Sequence, residues 1–431
     1  MKQHSMIIKG GTQLRGTVKT QGAKNAALTI MPIALLLKGK KWRLSNVPNL
    51  SDTQTMIELL SSLGAKITRE SNNDIIFDVP EEISYEVSEQ KARKMRASSL
   101  VLGPLMTRCK RAILPMPGGC SIGSRPIDLH LKGLAQMGAE IEVKDGAVYA
   151  SAKRLRGCRI YLDFPSVGAT ENLVMAAVFA EGTTTIENTA REPEIFNLTE
   201  TLKSMGVPIE ADVTGLIKIT GIEELDNTQA NVIPDRIEAC TYILSGVITG
   251  SEVTVDNIIL PHVDALLAKL EEAGCVFTVK NNSVTVHPME KQKGYLPLRP
   301  ISVKTLPFPG FPTDAQPQTM AVLTLANGVS TIHENLFDSR FMHVAELNRM
   351  GANIEVHSNL TIIRGVKELK GAKVMATDLR AGAALILAGL AAEGETTVQG
   401  YEHVTRGYES IDKKLSSLGA KVHIEENEIN E

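Results

Sequence analysis

The chain has 431 residues, 43% of them hydrophobic and 22% charged, with a formal net charge of −3. That length exceeds the ~250–300 residues that one hydrophobic core usually serves, so two domains are expected, and the composition excludes disorder. No Lys/Arg block is present, so no nucleic-acid partner is expected, because binding a phosphate backbone needs a concentrated basic surface. The opening MKQHSMIIKGG lacks the apolar core of a secretory leader. The longest apolar run, Ala381–Ala392, is shorter than the ~20 residues a bilayer span requires, so no membrane association is expected. Cys109, Cys120, Cys158, Cys240 and Cys275 make an odd set without CxxC or His-paired spacing. Free thiols in a reducing cytoplasm are expected, with no metal centre.

Along the chain, an amphipathic helix ends in glycine six times: LLSSLGA (Gly64), GLAQMGA (Gly138), TLKSMGV (Gly206), KLEEAGC (Gly274), ELNRMGA (Gly351) and KLSSLGA (Gly419). The intervals are 74, 68, 68, 77 and 68 residues, the mark of an internal repeat. Five of these helices precede a pair of strand-like runs such as EIEVKDGAVYASA. Ahead of each lies a different helix: AKNAALTIMPIALLL, MRASSLVLGPLM, SVGATENLVMAAVFA, RIEACTYILSGVI, DAQPQTMAVLTLA and DLRAGAALILAGLAA. These are polar at their N-terminal ends and apolar nearly all round afterwards, so they belong inside a core. Three repeats packing these helices together give an α/β domain with helices inside and sheets outside. The sixth repeat runs out before its second hairpin strand, and MIIKGGTQLRG resembles the missing piece. One domain is therefore expected at 24–234 and a second, discontinuous one at 1–23 plus 235–431.

From the end of the buried helix (Gly39, Gly182, Gly250, Gly328, Gly394) to the next glycine cap the distance is 25, 24, 24, 23 and 25 residues. In the second repeat the equivalent distance from Cys109 is 29, and the extra residues fall in the loop MPGGCSIGSRPID. Loops carry function more often than elements do, which singles out Cys120 and Arg125. A nearby guanidinium lowers a thiol pKa and favours reactivity. The other strand-to-helix loops hold Arg191 and Glu194, Arg340, and Arg406. The buried helices begin with Lys24 and Asn25, Arg96, Ser166 to Gly168, Asp235 to Glu238, Asp314, and Asp378 with Arg380. If the repeats are equivalent, these groups gather at one end of each domain and form an anion cleft, since helix N-termini present free N–H groups. Capping and surface ion pairs are the plainer reading, favoured for Asp235 and Glu238 taken singly.

The motifs GAKNAAL, KMRAS, LPMPGGCSIGSRPIDLH, SVGATEN, AREPEI, PDRIE, FPTDAQ, RFMHV, TDLRA and RGYE occur in this order across the whole chain. Together they resemble the UDP-N-acetylglucosamine enolpyruvyl transferases. The resemblance implies two inside-out α/β barrel domains of three repeats each. It also implies transfer of the carboxyvinyl group of phosphoenolpyruvate to the sugar 3-hydroxyl by addition and elimination, with no cofactor. Cys120 matches the loop cysteine that donates a proton and bonds covalently to phosphoenolpyruvate and fosfomycin. Asp314 matches the carboxylate that accepts the hydroxyl proton. Lys24, Arg125 and Arg406 match the cations on phosphate and carboxylate, with Asn25 and Arg96 as further contacts.

The run Arg125, Pro126, Ile127, Asp128 and Leu129, and the turn Ser166, Val167 and Gly168, match segments that hold uridine and diphosphate. Leu336 matches an apolar contact to the sugar nucleotide. Arg340 and Asp378 match residues supporting a closed state, with Arg380 beside them as a candidate substrate contact. One departure is visible: some members carry lysine two residues before the SVGAT serine, where this chain has Phe164. That puts a cation-to-diphosphate contact there in doubt. The nearest alternative is the enolpyruvylshikimate-phosphate synthase, which lacks such a cysteine loop; a catalytically silent sugar-nucleotide binder is the other. The oligomeric state is not legible.

Overall fold

The computed structural model describes residues 2–117, 127–226 and 228–428. By its internal contacts the chain forms two compact units, one within Gly22–Ile233 and the other of Met1–Gln21 with Pro234–Glu431. Each has a hydrophobic core of its own.

The repeat is visible in the smallest detail. All six exposed helices end alike, with the glycine at φ 117° (Gly64), 95° (Gly138), 91° (Gly206), 98° (Gly274), 90° (Gly351) and 95° (Gly419). A side chain would be strained at those values, which is why glycine recurs there. The N–H after each glycine reaches back five residues to a leucine carbonyl: Ala65 to Leu60, Ala139 to Leu134, Val207 to Leu202, Cys275 to Leu270, Ala352 to Leu347 and Ala420 to Leu415. This is the Schellman closure, and the leucine supplies its apolar contact. Helix Ser51–Ser62 shows the face behind the pattern, burying Met56, Leu59 and Leu60 while Ser61 and Ser62 face solvent.

Among the described residues there are six sheets, five of four strands and one of three. A complete sheet joins a parallel pair to an antiparallel hairpin. Ser302–Lys304 runs parallel to Val329–His333, which pairs with Leu360–Arg364, itself paired with Asn353–His357. The buried helix is the crossover between the parallel strands, as parallel pairing requires. In the first and fourth repeats the parallel partner is exchanged. Arg15–Lys19 pairs with Glu252–Asp256, and Ala230–Asn231 with Lys40–Ser45. Lys2–Lys9 lies antiparallel between Glu395–Gln399 and Lys421–Glu428. The first strand of the chain thus completes the sixth sheet.

In the unit ending at Glu431 the helices Arg236–Thr249, Gln316–Leu323 and Leu379–Ala391 pack on one another, buried along nearly their whole lengths. In the other unit Leu102–Cys109 packs on Val167–Ala177. The left-handed residue closing Leu102–Cys109 is Lys110 (φ 58°), so the repeat equivalent of Gly39 and Gly182 is Lys110 and not Cys109. Counted from Lys110, the distance to the Gly138 cap is 28 residues, one fewer than from Cys109 and still above the 23 to 25 of the other repeats.

Ile8 is fully buried within the strand shared by two neighbours. Ile8→Ala is expected to cost about 2–5 kcal/mol, from lost burial plus a residual cavity, measured by denaturant unfolding.

Candidate active site

The expected site residues fall into two groups, one in each unit. Cys120, Arg125 and Pro126 lie outside the described residues.

In the Gly22–Ile233 unit, Lys24 opens the helix Lys24–Ile30 and its Nζ lies 3.2 Å from Asp52 Oδ2. Both side chains are largely shielded, at 14% and 8% exposure, so the pair is far less screened than a surface one. Asn25 follows, its carbonyl accepting the Thr29 hydroxyl. Arg96 begins the 3₁₀ turn Arg96–Val101 and is half-buried. Ile127 precedes the helix Asp128–Gln136, with Asp128 exposed and Leu129 half-buried against the core. Ser166 caps Val167–Ala177 by accepting the Ala169 N–H at 3.3 Å.

His130 and Asn172 bring these pieces together. The Asn172 amide nitrogen donates to His130 Nδ1 (2.7 Å) and to the Ser99 carbonyl (2.9 Å), while its oxygen accepts the Gly103 N–H (2.7 Å). Burial, with the charge of Arg96 adding to it, pushes the His130 pKa down to about 4. The ring is therefore neutral, and because Asn172 donates to Nδ1 the proton sits on Nε2. Nε2 lies beside Gly168, where even a Cβ would come within 3.2 Å. Arg96, His130 and the Ser166–Gly168 turn thus share one neighbourhood. Glu171, one turn on, is buried, and burial pushes its carboxyl up to about 8; the Thr29 hydroxyl proton is given to Asn25, so the protonated carboxyl is the donor in its contact with Thr29 Oγ1.

In the second unit, Asp314 lies in the turn Thr313–Ala315, which runs into the buried helix Gln316–Leu323. Arg340 Nη2 reaches Asp314 Oδ1 at 2.8 Å and Arg380 Nη2 reaches Oδ2 at 2.9 Å. The guanidiniums are buried (3% and 5% exposed) while the carboxylate is 25% exposed. A carboxylate held by two charge-assisted bonds has its plane fixed. Burial alone would lower the Arg380 pKa, but Asp314, then Tyr408 and Asp235, hold it above the ordinary guanidinium value.

Asp378 caps Leu379–Ala391, accepting the N–H groups of Arg380 (2.9 Å) and Ala381 (3.0 Å). His343 is buried, and burial pushes its pKa down to about 4, with the charge of Asp378 opposing the fall and that of Arg340 adding to it. Leu336 is half-buried, its N–H bonded to Glu334 Oε1 at 3.0 Å. Arg406 is half-buried in the turn after Tyr401–Val404. Asp314, Arg340, Asp378 and Arg380 therefore form one cluster.

Sequence reasoning overlooked the residues that hold these groups: Asp52, His130, Asn172, Glu334, His343 and Tyr408. Glu334 accepts the hydroxyls of Thr305 (2.8 Å) and Thr313 (2.9 Å), which anchors the Leu336 loop next to Asp314. A usable signal existed, since most are polar residues inside or beside otherwise apolar motifs. Asp235 does cap its helix, accepting the N–H groups of Ile237 and Glu238. Of the described cysteines, Cys240 and Cys275 are buried and Cys109 and Cys158 half-buried. Burial raises the thiol pKa of Cys109 and Cys158, and pushes Cys240 and Cys275 to about 12. Among the described residues no His, Cys, Asp and Glu cluster is arranged to hold a metal.

A family model described as EPSP synthase (3-phosphoshikimate 1-carboxyvinyltransferase) matches residues 8–415. The UDP-N-acetylglucosamine 1-carboxyvinyltransferase 2 of Carboxydothermus hydrogenoformans is 51% identical, over 96% of this chain and 98% of its own. The UDP-N-acetylglucosamine 1-carboxyvinyltransferase of Geotalea uraniireducens is 49% identical over 97% and 98%. Among solved structures, the enolpyruvyl transferase NikO from Streptomyces tendae superposes with a TM-score of 0.89 at 25% identity, covering 99% of this chain and 100% of that one. EPSP synthase from Acinetobacter baumannii has a TM-score of 0.77 at 18% identity, covering 98% and 100%, and speaks for the fold alone. Two-domain, inside-out and about half identical to these relatives along almost its entire length, the chain belongs to the UDP-N-acetylglucosamine 1-carboxyvinyltransferases, within the EPSP synthase family.

Proposed function

We propose that this chain transfers the enolpyruvyl group of phosphoenolpyruvate to the 3-hydroxyl of UDP-N-acetylglucosamine and releases phosphate, the first committed step of peptidoglycan synthesis. The observation that carries the reading is Asp314, oriented by two buried arginines at the head of a buried helix, in a chain about half identical to transferases of that name.

The chemistry runs in two balanced steps. The sugar 3-oxygen bonds to C2 of phosphoenolpyruvate as its proton leaves to Asp314 and C3 gains a proton from Cys120. The C2–phosphate oxygen bond then breaks as the leaving phosphate takes the proton held by Asp314, C3 returns a proton to the Cys120 thiolate, and the vinyl ether and phosphate depart. Lys24, Arg125 and Arg406 hold the phosphate and carboxylate anions, where fixed positive charge lowers the cost of the charged intermediate. Asn25, Arg96, Ile127 to Leu129, Ser166 to Gly168, Leu336, Asp378 and Arg380 contact or frame the sugar nucleotide. The reaction needs no metal or organic cofactor in this reading, and the substrates place the enzyme in the cytoplasm. Among the described residues no helix is long and apolar enough to cross a membrane.

The test is phosphate release from phosphoenolpyruvate with UDP-N-acetylglucosamine, run beside shikimate 3-phosphate, for wild type and Cys120→Ala. Release with the sugar nucleotide, lowered at least about a hundredfold in the variant, is expected. Fosfomycin should add its mass at Cys120. Turnover of shikimate 3-phosphate, or binding of the sugar nucleotide without phosphate release, would overturn the reading.

A further inference from the structure

Tyr408 is 1% exposed and sits among the three central helices of its unit, two residues after Arg406. Its hydroxyl meets Thr241 Oγ1 (2.8 Å), Gln318 Nε2 (3.3 Å) and Arg380 Nη1 (3.3 Å), one contact from each helix. The direction of every bond follows from counting protons. Thr241 spends its single hydroxyl proton on the Ile237 carbonyl at 2.9 Å, so toward Tyr408 it only accepts. The Tyr408 O–H therefore points at Thr241, and its lone pairs face the two donors, Gln318 and Arg380. Arg380 then uses one terminal nitrogen on Tyr408 and the other on Asp314 Oδ2 at 2.9 Å. Two bonds at opposite ends of a rigid planar fork fix its rotation, and the guanidinium also lies 5.7 Å from the Tyr408 ring centroid.

We propose that Tyr408 is a positioning residue for the transfer reaction: its hydroxyl locks the Arg380 guanidinium, and Arg380 in turn orients and keeps ionised the Asp314 carboxylate. This rests on the reading of Asp314 as the group that accepts the hydroxyl proton. It also explains why a polar side chain occupies a site that apolar packing would otherwise fill. Phenylalanine would fill the same volume but leave the buried Nη1 donor without its acceptor. The charged and titratable groups that bear on this pair include Asp314, Asp235 and the buried thiol of Cys240, acting on Arg380, and the buried phenol of Tyr242, acting on Tyr408. Arg340 grips the other oxygen of Asp314.

The experiment is a pH profile of kcat for phosphate release, with phosphoenolpyruvate and UDP-N-acetylglucosamine saturating, for wild type, Tyr408→Phe and Asp314→Asn. Tyr408→Phe is expected to lower kcat about ten- to a hundredfold, the worth of one hydrogen bond to a charged group. It should also move the acid limb to higher pH. A loosened Arg380 gives Asp314 less positive charge, so its carboxylate protonates more readily and is lost as a base at a higher pH. A purely structural loss would lower the folded fraction without moving the limb. Tyr408→Phe with an unmoved acid limb, while Asp314→Asn is inactive, would overturn the proposal. Wild-type turnover by Asp314→Asn would instead remove the assignment of Asp314 itself, and with it the proposal. Should Tyr408→Phe fail to fold, Thr241→Val removes the acceptor that aims the hydroxyl. A smaller shift in the same direction is then expected, and an unmoved limb overturns the proposal.

Discussion

Asp314→Asn is expected to abolish most turnover, lowering kcat for phosphate release by about a hundredfold or more at saturating substrates. The change keeps the volume of the side chain and removes its charge. It replaces one of the two oxygens facing Arg340 and Arg380 with an NH2 group, so a donor meets a donor in a site where both guanidiniums are buried. Two effects follow that are separately measurable. The proton acceptor is gone, which acts on kcat. Both arginines also lose their counter-charge, which acts on stability. Because Asp314 is itself a quarter exposed, water relieves part of that second loss, and a destabilisation of about 2–3 kcal/mol is expected from denaturant unfolding. A variant that kept its stability but lost turnover would show that the arginines are content without the carboxylate.

Lys414→Met should produce a stability loss that depends on pH. Glu238 is completely buried in the helix Arg236–Thr249. Its carboxylate accepts Lys414 Nζ at 2.6 Å and the Gln21 N–H at 2.8 Å. Burial pushes its pKa up to about 7 even with Lys414 pulling it down. In the unfolded chain a glutamate titrates near ~4.3. The folded state therefore binds the extra proton between those values, and stability falls as pH rises through that window. Removing Lys414 raises the folded pKa further and extends the fall. At pH 5 Glu238 is protonated with or without its partner, so the variant should lose about 1 kcal/mol or less. At pH 8.5 the wild-type carboxylate is ionised and paired, whereas the variant must hold it protonated or unpaired, and the expected loss is about 2 kcal/mol larger than at pH 5, the worth of the interval from pH 7 to 8.5. Equal losses at the two pH values, in urea unfolding, would show that the pair carries no titrating energy.

The periodicities of the chain made much of this fold legible. The glycine-ended helices were readable because one physical requirement, a left-handed residue after a leucine-faced helix, recurs six times. The buried helices were readable because segments such as Ala381–Ala392 have no polar face. Strand exchange was harder, since nothing local in GTVK or QAN says which parallel neighbour each will take. At the site, the charged residues opening each buried helix stood out against apolar surroundings, and the structure brings Asp314, Arg340, Asp378 and Arg380 together. Their supports did not stand out. Tyr408 and Asn172 look like core residues until the direction of each hydrogen bond is worked out, and the pairing of Lys24 with Asp52 joins positions that no short-range pattern links.

The pairing of Lys2–Lys9 with Lys421–Glu428 also sets an order of events during synthesis. The unit within Gly22–Ile233 has all of its strands once residue 233 has emerged from the ribosome, so it can finish folding while the rest of the chain is still being made. The unit that bears Asp314 has no such freedom. Lys9 pairs with Lys421, so its opening strand must wait, unpaired on that edge, until residue 421 has been made. Pairings so distant in sequence form slowly, because the loop must close before the contact stabilises anything. An edge left open that long is a place where chains can join wrongly. The design therefore exposes one half of the enzyme to aggregation during its own synthesis and spares the other.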